Sequence, residues 1–245
     1  MALEFTTSSK EAVTNGVKIM VHSPAGYGKT MLNATLPQPV LISAESGLLS
    51  LSKKNIEHVY GVADPTICYD IPTIKIRSIQ DLEDAYAWCT QSHEAASFAT
   101  ISLDSISEIM EQILNYAKGV HKDPRAAYGD LITNGEKVIR DFRDIGGKNV
   151  YMSAKQAPMK DEMSNITLYG PSMPGSKLGQ SVPYFFDELY ALRVGKDDQG
   201  VEFRYLQTQP DIQYQAKCRS GALEVTEYPH LGHVINKIQQ YATTE

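Results

Sequence analysis

Ser23-Pro24-Ala25-Gly26-Tyr27-Gly28-Lys29-Thr30 is the stretch of this sequence whose residue types and spacing most plainly carry chemistry. Glycines let successive backbone N–H groups turn toward an anion. A lysine at the end of such a turn reaches the β/γ oxygens of a triphosphate, and the neighbouring hydroxyl is a Mg²⁺ ligand. A helix opening at Thr30 and Met31 adds the partial positive charge of its N-terminus. Residues Ser23 through Met31 are therefore expected to bind nucleotide. The usual pattern, G-x-x-x-x-G-K-[ST], has glycine where this chain has Ser23, which is small, and Pro24 stiffens the entry to the turn. The plain alternative is an ordinary strand–turn–helix corner.

Further candidates lie where apolar runs end. The run Pro39–Ala44 meets Glu45, a carboxylate that would project into the crevice at the carboxyl ends of parallel strands and orient water against a γ-phosphate. It could equally serve the first turn of a following helix. The run Ala99–Asp104 ends on an aspartate, the residue type that holds Mg²⁺ beside a phosphate loop. Ser105, or Asp104 itself, could instead cap the next helix. The run Asn149–Ala154 passes into Lys155 and Gln156, where an amide can sense the γ-phosphate or be a plain polar loop residue. The segment that follows, rich in Gly, Pro, Met and Ser to about Gln180, reads as a long functional loop, with Lys160 and Lys177 among its few cations. Lys118, His121, Lys122 and Arg125 stand against the single acid Asp123, with Tyr128 available to stack. That mixture suits a path for single-stranded nucleic acid or a solvated surface. Lys217 and Arg219, at i and i+2 of an extended stretch, share a face. They would neutralise γ-phosphate charge on a neighbouring copy or guard a sheet edge.

Positioning these groups requires a sheet. Apolar runs at Val17–Val21, Pro39–Ala44, Ala99–Asp104, Asn149–Ala154 and Glu188–Val194 read as strands, several without alternation, as strands covered on both faces do. Residues 79–93, 105–118 and 131–145 carry apolar positions at helical spacing. The order is that of an α/β fold with a mainly parallel central sheet flanked by helices. After about residue 187 the pattern becomes antiparallel: DELYALRV, the hairpin signal KDDQG, then VEFRYLQT. A strand at Ala222–Tyr228 and a helix from His230 to Tyr241 complete the chain, with no linker between domains.

The chain has 245 residues and a net charge of −6, which argues against a generally basic nucleic-acid binder but leaves room for a local basic channel. No apolar run has the roughly 18 residues of a membrane span, and the N-terminus lacks a secretory pattern. Cys68, Cys89 and Cys218 are scattered and read as reduced thiols of a cytoplasmic protein, without a metal site of their own.

Taken in order, SPAGYGKT, ISAESG, ISLDS, SAKQ and AKCRSG resemble the RecA-like P-loop ATPase core over roughly residues 15–228. The resemblance is closest to phage-encoded single-strand annealing and recombination ATPases of the Sak type. It implies an ATP-dependent, single-stranded-DNA-binding recombination protein of the bacterial host cytoplasm, hydrolysing ATP with Mg²⁺ between protomers of a ring or filament, with a single-strand binding protein as a further partner. RecA-like proteins place the catalytic glutamate on the strand after the phosphate loop, which selects Glu45, since Asp104 is followed by Ser105. The resemblance gives Lys29 the β/γ-phosphates, Thr30 and Asp104 the Mg²⁺, and Gln156 the coupling to DNA. Lys217 and Arg219 resemble the K-x-R pair presented to the adjacent subunit. Lys118, Lys122, Arg125, Tyr128, Lys160 and Lys177 fall where such proteins keep paired DNA-binding loops. Phe5-Thr6-Thr7-Ser8 resembles the F-x-x-A segment that links recombinase protomers, making residues 1–14 a linking tail and 229–245 a terminal helix. A helicase or helicase-loader motor, or a nucleotide-binding regulator with negligible hydrolysis, is the alternative.

Overall fold

A computed structural model describes residues 5–45, 47–160 and 166–243. The first element of the described residues is α1 (Ser8–Thr14), capped by the Thr7 hydroxyl, and the chain enters the sheet through β1 (Lys18–Ser23). A 3₁₀ helix (Thr30–Thr35) leads to β2 (Pro39–Ser43), α2 (Lys53–Tyr60), β3 (Thr73–Lys75), α3 (Ile79–Gln91) and β4 (Thr100–Asp104). Then follow α4 (Ile106–Val120), α5 (Pro124–Arg143), β5 (Asn149–Lys160), β6 (Thr167–Pro171) and α6 (Ser176–Ser181). The last elements are β7 (Glu188–Lys196), β8 (Glu202–Gln207), β9 (Lys217–Cys218), β10 (Thr226–Glu227) and α7 (Leu231–Thr243).

The sheet runs β10-β8-β7-β1-β5-β4-β2-β3, with β6 added to β5 and β9 to β7. Its centre, from β7 to β3, is parallel. Strands β1, β2 and β4 are buried along their whole length, because helices cover both faces. One face packs Met20, Leu103 and Met152 against Leu82, Met110, Leu131 and Leu178 of α3, α4, α5 and α6. The other packs Ile19, Val21, Tyr151 and Tyr190 against Leu32 of the 3₁₀ helix and Val234 and Ile235 of α7. Each such aliphatic side chain, fully buried, contributes about 1.5–3 kcal/mol. The chain from β1 to β2 crosses past β5 and β4, so the order of strands reverses beside β1. That reversal opens a crevice at the carboxyl ends of β1, β5, β4 and β2.

Four expectations are corrected. The helix after the phosphate loop is only the 3₁₀ helix. Pro37 and Pro39 stop it, while the Asn33 side chain turns back to the Thr30 carbonyl and accepts from the Ser102 hydroxyl. The segment 118–129 is mostly helical: α4 continues to Val120, and α5 starts at Pro124 rather than at 131, behind an Asp123 cap. Lys118 thus lies on α4, and Arg125 and Tyr128 on α5; His121 and Lys122 are in the turn. The stretch from Lys155 to Gln180 is not one long loop, because β5 runs on to Lys160 and pairs antiparallel with β6 as a ribbon. The strand expected at Ala222–Tyr228 shrinks to Thr226–Glu227.

Candidate functional site

The phosphate loop leaves β1 at Ser23 and makes two turns that only glycine adopts without strain, with φ of +80° at Gly26 and +109° at Gly28. Lys29 folds back over the loop. Its ammonium donates to the carbonyls of Ser23 (2.8 Å) and Pro24 (3.0 Å) and to the Ser23 hydroxyl (3.2 Å). Ser23 thus supplies a second oxygen that a glycine would lack. Burial lowers the Lys29 pKa, opposed by the carboxylates of Asp104 and Glu45, with Lys155 lowering it further. Tyr151 reaches up from β5 and donates to the Lys29 carbonyl at 2.9 Å, fixing the base of the loop.

Asp104 ends β4 at 1% exposure. Burial raises its pKa, the hydroxyls of Ser153 and Thr30 act against that rise, Glu45 adds to it and Lys29 opposes it. Ser153 donates to Oδ1, while Oδ2 is buried without a partner. An orphaned carboxylate oxygen beside a threonine hydroxyl has the chemistry of a divalent-cation site, so the residues present fit Mg²⁺. Ser105, next along, is the N-cap of α4, accepting from Glu108 N.

Glu45 lies two residues past Ser43, which is paired in register with Asp104. Its charge acts on Lys29, Asp104 and Lys155 together. On β5, Lys155 is paired with Ser23, so Gln156 emerges one residue beyond the end of β1. The Gln156 side chain lies 3.1 Å from Nδ1 of the buried His22. Lys155 pairs with Glu108 at 2.8 Å. Lys29, Thr30, Glu45, Asp104 and Gln156 are thus gathered at one edge of the sheet.

Arg204 is a neighbour that sequence reasoning missed. It stands on β8, on the same face as Leu206 and opposite Val194. Its Cδ and Nε come within 3.9 Å of the place where a Gly28 Cβ would stand. Only the register of the β7–β8 hairpin, carried across β7 to β1, could have revealed it.

The cations expected along a nucleic-acid path are divided. Lys118 lies over the Tyr128 ring at 5.8 Å, and that ring packs by Gly175, so α4, α5 and the approach to α6 do meet. His121 is engaged with Asp130 at 2.6 Å. Lys160 is at the end of β5 and Lys177 on α6, where it lines a cleft with Glu136 and Arg140. Lys217 and Arg219 lie at the opposite end of the sheet from the phosphate loop. Cys218 pairs with Glu188, which pairs with Ile19, about 13 Å of strand from Ser23. Lys217 donates to the Pro183 carbonyl at 2.7 Å and Arg219 pairs with Asp187 at 3.0 Å. Phe5 is 90% exposed ahead of α1.

Among the described residues no helix is long and apolar enough to cross a membrane. The model of an AAA domain family (AAA_24) matches residues 15–220. A comparison with curated proteins gives no match. Among solved structures the chain is similar to the KaiC-like protein PH0186 from the hyperthermophilic archaeon Pyrococcus horikoshii OT3. That similarity has a TM-score of 0.39 and 10% identity, covering 80% of this chain and 82% of that one.

Proposed function

Because this chain belongs to the AAA domain family and carries a P-loop ATPase core, we propose that it is an ATP-dependent recombination protein of the phage Sak type. It binds single-stranded DNA and anneals or exchanges strands as a ring or filament. Lys29 leaves its loop carbonyls for the β/γ-phosphates, and Glu45 orients the attacking water. Thr30 and Asp104 would hold a Mg²⁺, which supplies charge neutralisation at the phosphate oxygens. Lys217 and Arg219, remote from their own loop, serve a neighbouring copy's nucleotide, and Phe5 anchors a tail between copies.

One observation carries the DNA reading: Gln156 is the root of the β5–β6 ribbon. With Gln156 as the γ-phosphate sensor, the same residue begins the element that bears Lys160, which would join nucleotide state to ribbon position. Lys118 on α4 and Tyr128 on α5 offer a cation beside an aromatic ring, the pairing that single-stranded nucleic acid uses.

Fluorescence anisotropy of a labelled oligonucleotide tests this reading, with Mg²⁺ and either ADP or ATPγS, over a salt series. The expected outcome is binding at least about tenfold tighter with ATPγS that weakens steeply with salt, and hydrolysis stimulated by the same oligonucleotide. Hydrolysis indifferent to DNA, with no salt-sensitive binding in either nucleotide, refutes the recombination role and leaves a nucleotide-binding regulator. Strand separation of a duplex driven by hydrolysis would make it a helicase-type motor instead.

A further inference from the structure

His22 is wholly buried in β1, one residue before the phosphate loop. Its ring is held at both nitrogens, Nε2 at 2.8 Å from the Gln215 backbone carbonyl and Nδ1 at 3.1 Å from the Gln156 side-chain amide. A carbonyl only accepts, so Nε2 carries the proton and donates. Burial pushes the ring's pKa down to about 4, against the raising influence of the Gln215 and Gln156 hydrogen bonds and with Lys29 lowering it further. The neutral ring then leaves Nδ1 as an acceptor. Gln156 must meet it with the NH₂ half of its amide, an orientation reached from the placed Oε1 by a half-turn of the amide.

The Gln215 end of this bridge leads to the remote cations. In β9, Lys217 is opposite Leu189, which is opposite Met20. Gln215 lies two residues before Lys217, and its carbonyl meets the His22 ring directly. From there the chain enters β9, and Lys217 is reached within about 7 Å of backbone. The same stretch is fastened to the ribbon: Tyr169 N donates to Gln213 O (2.6 Å), and Gln215 N donates to Tyr169 O (2.8 Å). Gln215 Oε1 is itself buried without a partner, so this junction is incompletely satisfied as it stands.

We infer that His22 is a positioning residue that couples Gln156 to the 213–219 segment, so that movement of Gln156 toward a γ-phosphate is transmitted to Lys217 and Arg219. The inference rests on the proposed reading of Gln156 as the γ-phosphate sensor. When the Gln156 NH₂ leaves the ring, Nδ1 becomes a buried acceptor with no donor. The ring relieves this by turning, and turning breaks its hold on the Gln215 carbonyl. Engagement of Gln156 and the hold on the segment therefore exclude one another, which makes the junction two-state.

Hydrogen exchange of the full chain tests this directly, read on peptides spanning 213–219 without nucleotide, with Mg²⁺-ADP and with Mg²⁺-ATPγS. In the wild type, exchange of these amides is expected to differ about fivefold or more between ADP and ATPγS. His22→Leu is expected to abolish that difference and to lower kcat about tenfold, with the affinity for a fluorescent ADP analogue within about twofold of wild type. His22→Asn keeps an acceptor for Gln156 but not the reach to Gln215, and His22→Gln keeps only the reach, so each alone should also uncouple. The inference is overturned by a folded His22→Leu that keeps the difference, or by a wild type that binds both nucleotides yet shows none. The wild-type comparison can overturn the inference even if every variant unfolds. Failure of the wild type to bind ATPγS more tightly than Lys29→Ala overturns the nucleotide reading itself, and the coupling with it.

Discussion

Asp104 is held in the sheet at a cost. Its carboxyl is almost wholly buried, one oxygen lacks a partner, and burial raises its pKa. An unsatisfied buried polar atom costs about 1–3 kcal/mol, a penalty that persists where function needs the group. Asp104→Asn keeps the shape and removes the charge. The apo protein should melt about 2–4 °C higher, while Mg²⁺-dependent hydrolysis falls about a hundredfold. Scanning calorimetry beside a hydrolysis assay checks both, and a variant that melts lower and still turns over would contradict this account. Asp104, Glu45 and Gln156 were legible because each ends an apolar run, and strand ends are where an α/β sheet presents its chemistry. His22 and Arg204 were not. One is a polar residue inside a strand, with partners far along the chain. The other reaches Gly28 only through the register of three strands.

Among the helices, packing and propensity can be set against each other at two glycines. Gly232 lies in α7, where an added Cβ would stand 2.6 Å from the Thr35 carbonyl at the end of the 3₁₀ helix. Backbone cannot swing aside as a side chain can. The two elements are also tied by the Leu231 N–H, which donates to the Thr35 hydroxyl at 2.9 Å. Gly129, in α5, has open space around it. Helix propensity alone would make alanine favourable at both, by about 0.5–1 kcal/mol. Gly129→Ala should stabilise by that amount. Gly232→Ala should destabilise by about 1–3 kcal/mol and weaken nucleotide binding, because it pushes on the element that begins at Thr30. Urea midpoints of the two variants settle the comparison, and a shift of the same sign in both would show that packing at Gly232 does not govern. The parallel strands and the KDDQG hairpin were legible from continuous apolar runs and turn chemistry. The β5–β6 ribbon was not, because Pro158, Gly170 and Pro171 argue against a strand. A two-stranded ribbon that projects beyond the parallel sheet tolerates them where the sheet interior does not.

For the molecule as a whole, the two ends of the sheet carry different sets of charged groups. The carboxyl edge gathers Lys29, Thr30, Glu45, Asp104 and Gln156, while β9 delivers Lys217 and Arg219 toward the amino edge, on the far side of β7. Side chains of that length do not span about 13 Å of strand to reach their own loop. If they act on nucleotide at all, they act on another copy's. Defects in Glu45 and in Arg219 should then complement. Glu45→Ala chains lack the water-orienting carboxylate but present an intact arginine, and Arg219→Ala chains have the converse defect. Mixed at equal concentration and randomly assembled, about a quarter of interfaces would pair an intact Glu45 with an intact Arg219. Hydrolysis measured across mixing ratios should therefore rise from near zero at either pure variant to a maximum near equal proportions. It should vanish again on dilution below the assembly concentration. Activity that stays at the level of the pure variants at every ratio would mean that Arg219 serves its partner Asp187 within the chain and not a neighbour's phosphate.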